Sequence, residues 1–452
     1  MDNKNRQLID ALIKKAGEEG FLESEVYFVS ETSTTVQALE GKIIQFESSD
    51  TTALSFRGLY NGQMGYAYSE DISEEMIPFL ISQAKDNCQI LEVKEKVTVY
   101  EGDKEYPEFN GFSEELAKID YADMAKAALD AERETLAYDN RIQAVDNCYV
   151  VYESGELYIC NSKGMVCESI DNGFGVYIGC RAKEGEDVQT AGKSWSFTRY
   201  EDFDAKKYAS IVGELVISKL GAKTIPSVKT PIVMDRLAAK SLLGSFAGSF
   251  SAEAMQKGLS RLAGKVGETI ANPAITLVDE GMIEGSQLCI PFDSEGVAAK
   301  RTVLIDKGVF KSPLHNRKTA LVEGVESTGN GFRNSVRGSV GISTSNLHFE
   351  KGAFTQQELF EKMGNGVYIT AIHGLHAGIN GVSGDFSLMS EGFMIRDGKK
   401  AEPINQITIA DNFFEILKKV EYLADDIDYM APDASHCQSP SLLIPDVSVS
   451  GE

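Results

Sequence analysis

Apolar and polar residues alternate with two different periods along this chain, and the switches between them mark out its elements. In residues 4–18, Leu8, Ile9, Leu12 and Ile13 recur at helical spacing and predict an amphipathic helix. Period two takes over in EVYFVSE, STTVQALEGKIIQFES and TTALSFRGLYNGQMGYAYSE, broken by the turn formers of EGK and YNGQ. This pattern predicts an antiparallel meander between two helices, the second near residues 73–88. The segment 100–113, YEGDKEYPEFNGFS, is crowded with charge and turn formers and reads as a linker. A helical pattern follows over roughly 114–137. Strands come next in AVDNCYVVYES, GELYICNSKG and GFGVYIGCRAKEG, then a helix in FDAKKYASIVGELVISKL. GAKTIPSVKTP (221–231), with two prolines and a helix-stopping glycine, is a second boundary.

Beyond it, a strand in IVMD leads into a helical pattern that carries KSLLGSFAGSFSAEAMQKG (240–258), apolar at helical spacing but crowded with glycine and serine. Strands in AKRTVLIDKGVFKSPL, a helix around 315–322 and a Gly/Ser/Asn tract from 323 to 346 come after it. Helix TQQELFEKMGN precedes strand GVYITAI and the tract HGLHAGINGVSGDFS; further strands, a helix at 411–423 and a last strand SLLIPDVSVSG complete the pattern. The interleaving lacks regular βαβ spacing, which predicts an α+β fold with mixed and antiparallel sheets. Three units are expected: an N-terminal α+β domain (1–100), a central domain (114–221) and a larger β-rich C-terminal domain (229–452).

Composition narrows the function. The 452 residues carry 68 acidic against 44 basic side chains, a formal net charge of −24. Such a surface repels phosphates, so direct nucleic-acid binding is disfavoured. No stretch approaches 18 uninterrupted apolar residues, and the amphipathic N-terminus has no signal-peptide core, so no membrane span is expected. The seven cysteines are scattered and never paired as CxxC. Reduced thiols and a cytoplasmic location follow as expectations.

Three kinds of chemistry compete with plain structural roles. Of five histidines, His373 and His376 form HGLH, and His436 precedes Cys437; two imidazoles and a thiolate could hold zinc with one position open. HGLH lies in a glycine-rich tract, however, where it is more simply a loop near a groove. A serine nucleophile at Ser245 or Ser249 lacks a GxSxG elbow, and His436 and Cys437, adjacent in a strand, point to opposite faces. The glycine tracts match neither the Walker spacing nor GxGxxG. Asn380, Gly381, Gly384 and Asp385 are candidates for lining a peptide groove, since glycine admits close backbone approach and Asn and Asp can pair with amides. The same NGVSGD run also fits a tight turn held by its own side chains.

Several tracts together resemble one family. SFSAEAMQKGLSRLAGKVGE (249–268), INGVSGDFSLMSEGFMIRDGK (379–399), INQITIADNF (404–413), SPSLLIPDVSVSGE (439–452) and VQALEGKIIQFESSDTTALSFRG are similar to the TldD/TldE (PmbA) proteins, once labelled modulators of DNA gyrase. That resemblance implies a dimeric assembly around a central cavity, acting on unfolded proteins or short peptides, including antitoxins and peptide-antibiotic precursors. In the family's TldD-like branch, HExxxH and a C-terminal cysteine hold zinc. Aligning its double leucine with Leu242-Leu243 puts Gly244, Ser245 and Ser249 where His, Glu and His would stand, and residues 229–300 contain no histidine. Glycine has no ligand atom and serine resists ionisation, so the resemblance implies a TldE/PmbA-type chain without its own metal or cofactor. Zinc is then expected in a TldD-like partner. Two alternatives remain: a self-sufficient metallopeptidase using His373, His376 and Cys437 or His436, and a homodimeric peptide-binding protein.

Overall fold

Glu40 and Gly41 (φ 51° and 71°) and Asn61 and Gly62 (φ 50° and 79°) take left-handed backbone conformations. Two such residues in succession make the hairpin turn whose twist matches paired strands. They join β1 (Glu23–Leu39), β2 (Lys42–Tyr60) and β3 (Gln63–Ser69) into the expected meander. Helices α1 (Asn3–Glu18) and α2 (Met76–Ile90) cover one face, burying Ile9, Leu12, Leu80 and Ala84 against Val26, Phe28, Leu54 and Phe56. The computed structural model describes residues 1–90 and 98–451; residues 91–97 of the expected 1–100 unit, and Glu452 of the 229–452 unit, lie outside the described residues.

Strands β4 (Ile142–Asn161), β5 (Val166–Glu184) and β6 (Asp187–Phe197) form a second meander, with α3 (Tyr121–Tyr138) and α4 (Ala205–Ser218) packed on it. Ser154 and Gly155, where the sequence suggests a break, lie inside β4. They are paired on one side with Asp171 and Asn172 and on the other with Glu31 and Thr32. A strand held on both edges keeps its ladder through residues that would otherwise turn. The two meanders are not separate. β1 pairs with β4 from Glu25 opposite Asn161 to Ala38 opposite Cys148, giving one six-stranded sheet in the order β3-β2-β1-β4-β5-β6. The 100–113 segment is tied to the third unit: the Tyr106 hydroxyl donates to the Gly296 carbonyl (2.7 Å), and the Ala298 N–H donates to Asp103 Oδ2 (2.7 Å).

In the third unit, β7 (Val228–Met234) runs parallel to Gly366–His373 and antiparallel to Leu442–Ser450. Asp385–Arg396 and Lys399–Asn412 continue this sheet, and Lys399–Asn412 also pairs with Leu442–Ser450, closing five strands into a ring. Directly after β7, α5 (Arg236–Phe246) starts on the Asp235 carboxylate, which accepts the Leu237 N–H (2.8 Å). Its apolar face (Leu242, Leu243, Phe246) enters the main core, where Phe246 stacks on Phe413 with centroids 4.6 Å apart. The helical pattern over 240–258 is not one helix. α5 stops at Phe246, a 3-10 turn spans Ala247–Phe250, and a new short helix runs Ala252–Gln256 with the Ser251 side chain as its cap. Ser241 and Ser245 donate back to carbonyls four residues earlier within α5, whereas Ser251 turns the chain and caps the next helix.

Candidate functional site

The short strand Cys437–Gln438 lies parallel to Leu347–Phe349, with Leu347 opposite Cys437. This pairing brings the Cys437 thiol against α5, where it donates to the Lys240 carbonyl at 3.5 Å. A Cβ built on Gly244 would stand 3.5 Å from Cys437 Sγ, so the thiol faces the bare backbone of the helix. The neighbouring hydroxyls have partners: Ser245 donates to the Ser241 carbonyl (2.8 Å) and Ser249 to the Gly381 carbonyl (3.3 Å). Burial pushes the Cys437 thiol up to about 12 despite the opposing charge of Lys240, so it stays protonated at neutral pH. Burial also lowers Lys240, whose ammonium sits 3.3 Å from Ser435 Oγ and 3.4 Å from the Asp433 carbonyl. His436 is held below the ordinary imidazole range by burial, its Nδ1 2.8 Å from Asn346 Oδ1.

Two cavities open between the six-stranded sheet and this part of the third unit. One, of about 870 Å³, is walled by Tyr149, Tyr177, Trp195, Tyr429 and His436. The other, of about 790 Å³, is walled by Tyr177, Lys193, Lys219, Ser241, His373 and Glu391. Tyr177 borders both and stacks on Tyr149, with centroids 5.1 Å apart. The segment before Cys437 is pinned to the sheet between them. The Ser196 N–H donates to the Pro432 carbonyl (2.8 Å), while Asp433 receives Lys193 (2.8 Å) and Arg236 (2.5 Å). Burial works to raise Asp433, but the two cations outweigh it and hold the carboxyl below its usual range. The gap is therefore aromatic on one side and crossed by a charged bridge.

The other candidates are placed elsewhere. His373 ends its strand half-exposed, its Nε2 4.0 Å from Glu391 Oε1, and His376 lies exposed in the following turn. Among the described residues, no three His, Cys, Asp or Glu side chains are grouped to hold a metal, so His373, His376 and Cys437 are not brought together. In NGVSGD, Asn380 Oδ1 accepts the N–H groups of Val382 (3.1 Å) and Ser383 (3.0 Å). Asp385 accepts from Ser383 Oγ (2.7 Å) and Asn412 Nδ2 (2.8 Å). Gly384, at φ 85°, makes the turn possible. The Asn380 side chain is thus engaged within the loop, Asp385 ties the loop to Asn412 of the neighbouring strand, and the Gly381 carbonyl meets Ser249.

Sequence reasoning missed Lys193, Arg236, Lys240 and Asp433. Arg236 and Lys240, four apart on one helix, were a readable signal of a shared basic face. Asp433 offered none, since its partners come from a distant helix and strand. Among the described residues no helix is long and apolar enough to cross a membrane.

Comparison with known proteins matches the whole arrangement. Models of the PmbA/TldA metallopeptidase domain 1, central domain and C-terminal domain match residues 24–88, 114–220 and 227–451. A metalloprotease of Methanothermobacter thermautotrophicus is 30% identical over 284 residues, which span 62% of this chain and 62% of that relative. A metalloprotease PmbA homologue of Haemophilus influenzae is 25% identical over 99% of this chain and 96% of its own. The crystal structure of a candidate modulator of a DNA gyrase from Thermotoga maritima superimposes with a TM-score of 0.90 at 29% identity, covering 98% of this chain and all (100%) of that one. TldE of Thermococcus kodakarensis gives 0.88 at 22% identity with the same coverage, a likeness of fold alone. With three consecutive domain models and full-length relatives agreeing, this chain belongs to the PmbA/TldD metallopeptidase family.

Proposed function

We propose that this chain is a non-catalytic subunit of a metallopeptidase complex of its family. In this reading it handles unfolded proteins or short peptides, while a TldD-like partner carrying HExxxH supplies zinc and cuts. The observation that carries the reading is the pairing of Cys437 with Gly244. The thiol faces α5 at a position that offers backbone and no ligand atom. Zinc needs deprotonated sulfur, neutral imidazole or carboxylate in a convergent set. Here the thiol is held protonated by burial, and Ser245 and Ser249 donate their hydroxyls to backbone carbonyls. The residues present at α5 therefore do not fit the metal. The relocated set of His373, His376 and Cys437 gains no support, because these side chains do not converge.

The divided gap supports the peptide-handling half of the reading. Its aromatic wall offers flat apolar surface, and edge strand β6 borders it through Ser194, Ser196 and Phe197, although the Ser196 N–H is already engaged. Elemental analysis of tag-free chain purified without chelators tests the metal, and cleavage of an unfolded protein with and without an HExxxH-bearing relative tests the partnership. The expected result is zinc near zero per chain, no cleavage alone, and cleavage by a stable mixed complex. One zinc per chain with cleavage alone would overturn the proposal. A homodimer that binds peptide, with no mixed complex forming, would overturn the partnership.

A further inference from the structure

A third cavity, of about 520 Å³, lies away from the gap and shares no lining residue with it. One wall is β3, through Met64, Tyr66 and Tyr68. A second is one face of α2, where Phe79, Gln83 and Asn87 follow each other at four-residue spacing. The third is the loop 333–339, carried by the small hairpin of Gly331–Arg333 and Val340–Ile342. Phe79 is 53% and Tyr68 40% exposed, so the cavity opens to solvent across large apolar side chains.

At its inner wall lies Arg333. Its guanidinium sits 4.9 Å over the Tyr27 ring, and Nη1 donates to the Gly338 carbonyl (3.2 Å) and to Ser55 Oγ (3.5 Å). Its Nε is buried without a hydrogen-bond partner. Among the described residues, no carboxylate lies within ion-pairing distance of Arg333. The carboxylate of its surroundings, Glu25, is ion-paired to Arg57 at 2.7 Å, and both of those side chains are buried. Burial and the Arg57 charge both work to lower the Arg333 pKa, ahead of the opposing effect of Glu25. A guanidinium does not give up its proton at neutral pH, so the charge persists and lacks a counter-ion. A half-buried cation whose Nε is shut off from solvent is costly unless paired. Arg337, stacked 4.3 Å over Tyr68 and paired with Glu70, lies beside it on the outer side. In a chain of net charge −24, such a cationic, aromatic-walled cavity is a local exception.

We propose that this cavity binds a carboxylate carried on an apolar or aromatic group, Arg333 taking the carboxylate and Met64, Tyr68, Phe79 and Val336 taking the apolar body. The volume falls in the range of small-ligand sites, and the arrangement of an apolar pocket with one orienting charge is typical of them. Two sources present this chemistry: a free hydrophobic amino acid derivative, and the C-terminal carboxylate of a peptide ending in such a residue.

Titration calorimetry of the isolated full chain with four probes separates these sources. The probes are N-acetyl-phenylalanine and its amide, and a hexapeptide ending in phenylalanine with a free or an amidated C-terminus. At least one acid saturates the wild type, and its amide binds at least about tenfold more weakly, as loss of a charged hydrogen bond dictates. Saturation by both acids assigns the site to the carboxylate and ring alone; saturation by the peptide acid only assigns it to peptide C-termini. Arg333→Gln abolishes the preference for acid over amide. Phe79→Ala, at an exposed position that leaves the fold intact, weakens the acid about tenfold while keeping the preference. No saturable binding of either acid, or equal binding of acids and amides, overturns the proposal. The measurement needs neither zinc nor a partner subunit, so its failure leaves the peptidase-complex reading standing, and the reverse holds as well.

Discussion

Gly244 sits in the last turn of α5 with exposed backbone, and it has no conformational need to be glycine. Its φ lies outside the left-handed region, and a methyl group there would meet Cys437 Sγ at an ordinary contact distance of 3.5 Å. Gly244→Ala therefore raises the unfolding free energy by about 0.5–1 kcal/mol, because alanine loses less entropy in a helix. Urea denaturation checks this, and a loss of stability would show that the space beside Cys437 is needed open. His348 makes a pH-dependent contribution of defined sign. Burial holds it below the ordinary imidazole range, with Nδ1 3.0 Å from the Asn346 carbonyl. As the pH falls, the unfolded chain takes up this proton first, so the contribution is present above about pH 6.5 and is lost on acidification toward the lowered folded value. Between about pH 7.5 and about pH 5.5 the loss of unfolding free energy is consequently smaller in His348→Gln than in the wild type. Equal losses in the two proteins would rule out this role.

At the scale of elements, local patterns were informative wherever neighbouring residues decide the outcome. EGK and YNGQ became hairpin turns, and the apolar stripe of residues 4–18 became α1. The strand broken at Ser154-Gly155 and the helix drawn through 240–258 differ from what formed, because ladder partners on both edges and the Ser251 cap decided them. Of the candidate site, Gly244 and Cys437 could be singled out from a resemblance. Their approach depends on the pairing of Cys437–Gln438 with Leu347–Phe349, a contact between distant segments that no local period encodes. Gly392, opposite the register shift that Thr370 makes in the neighbouring strand, offers a sharper test of element packing. A Cβ there would stand 1.8 Å from the Tyr368 carbonyl oxygen, in backbone held by pairing with the strand Gly366–His373. Gly392→Ala costs about 1–3 kcal/mol of overpacking, read as a lower urea midpoint; an unchanged midpoint would mean that the bulge at Thr370 shifts freely.

For the whole molecule, the decisive contact is the pairing of β1 with β4, which fuses two sequence units into one sheet. Trp195, the single tryptophan, is buried in β6 at the far end of that sheet and reports on it. A fragment of residues 1–226, which keeps all six strands, is expected to unfold cooperatively by tryptophan fluorescence. A fragment of residues 1–90 strips β1 of its β4 partner and is expected to aggregate rather than give a cooperative transition by circular dichroism. Cooperative folding of the shorter piece would show that the first meander is self-sufficient.

That seam also governs how such a protein can be shuffled in evolution. The register from Glu25 with Asn161 to Ala38 with Cys148 makes the 24–88 and 114–220 regions mutually dependent, so replacing one with a relative's copy asks the other to match it along the whole ladder. Crossovers near residue 100 cut through a shared sheet, whereas those near residue 221 fall after its last covering helix. Lineages that exchanged parts will carry the first two regions together as one inherited block.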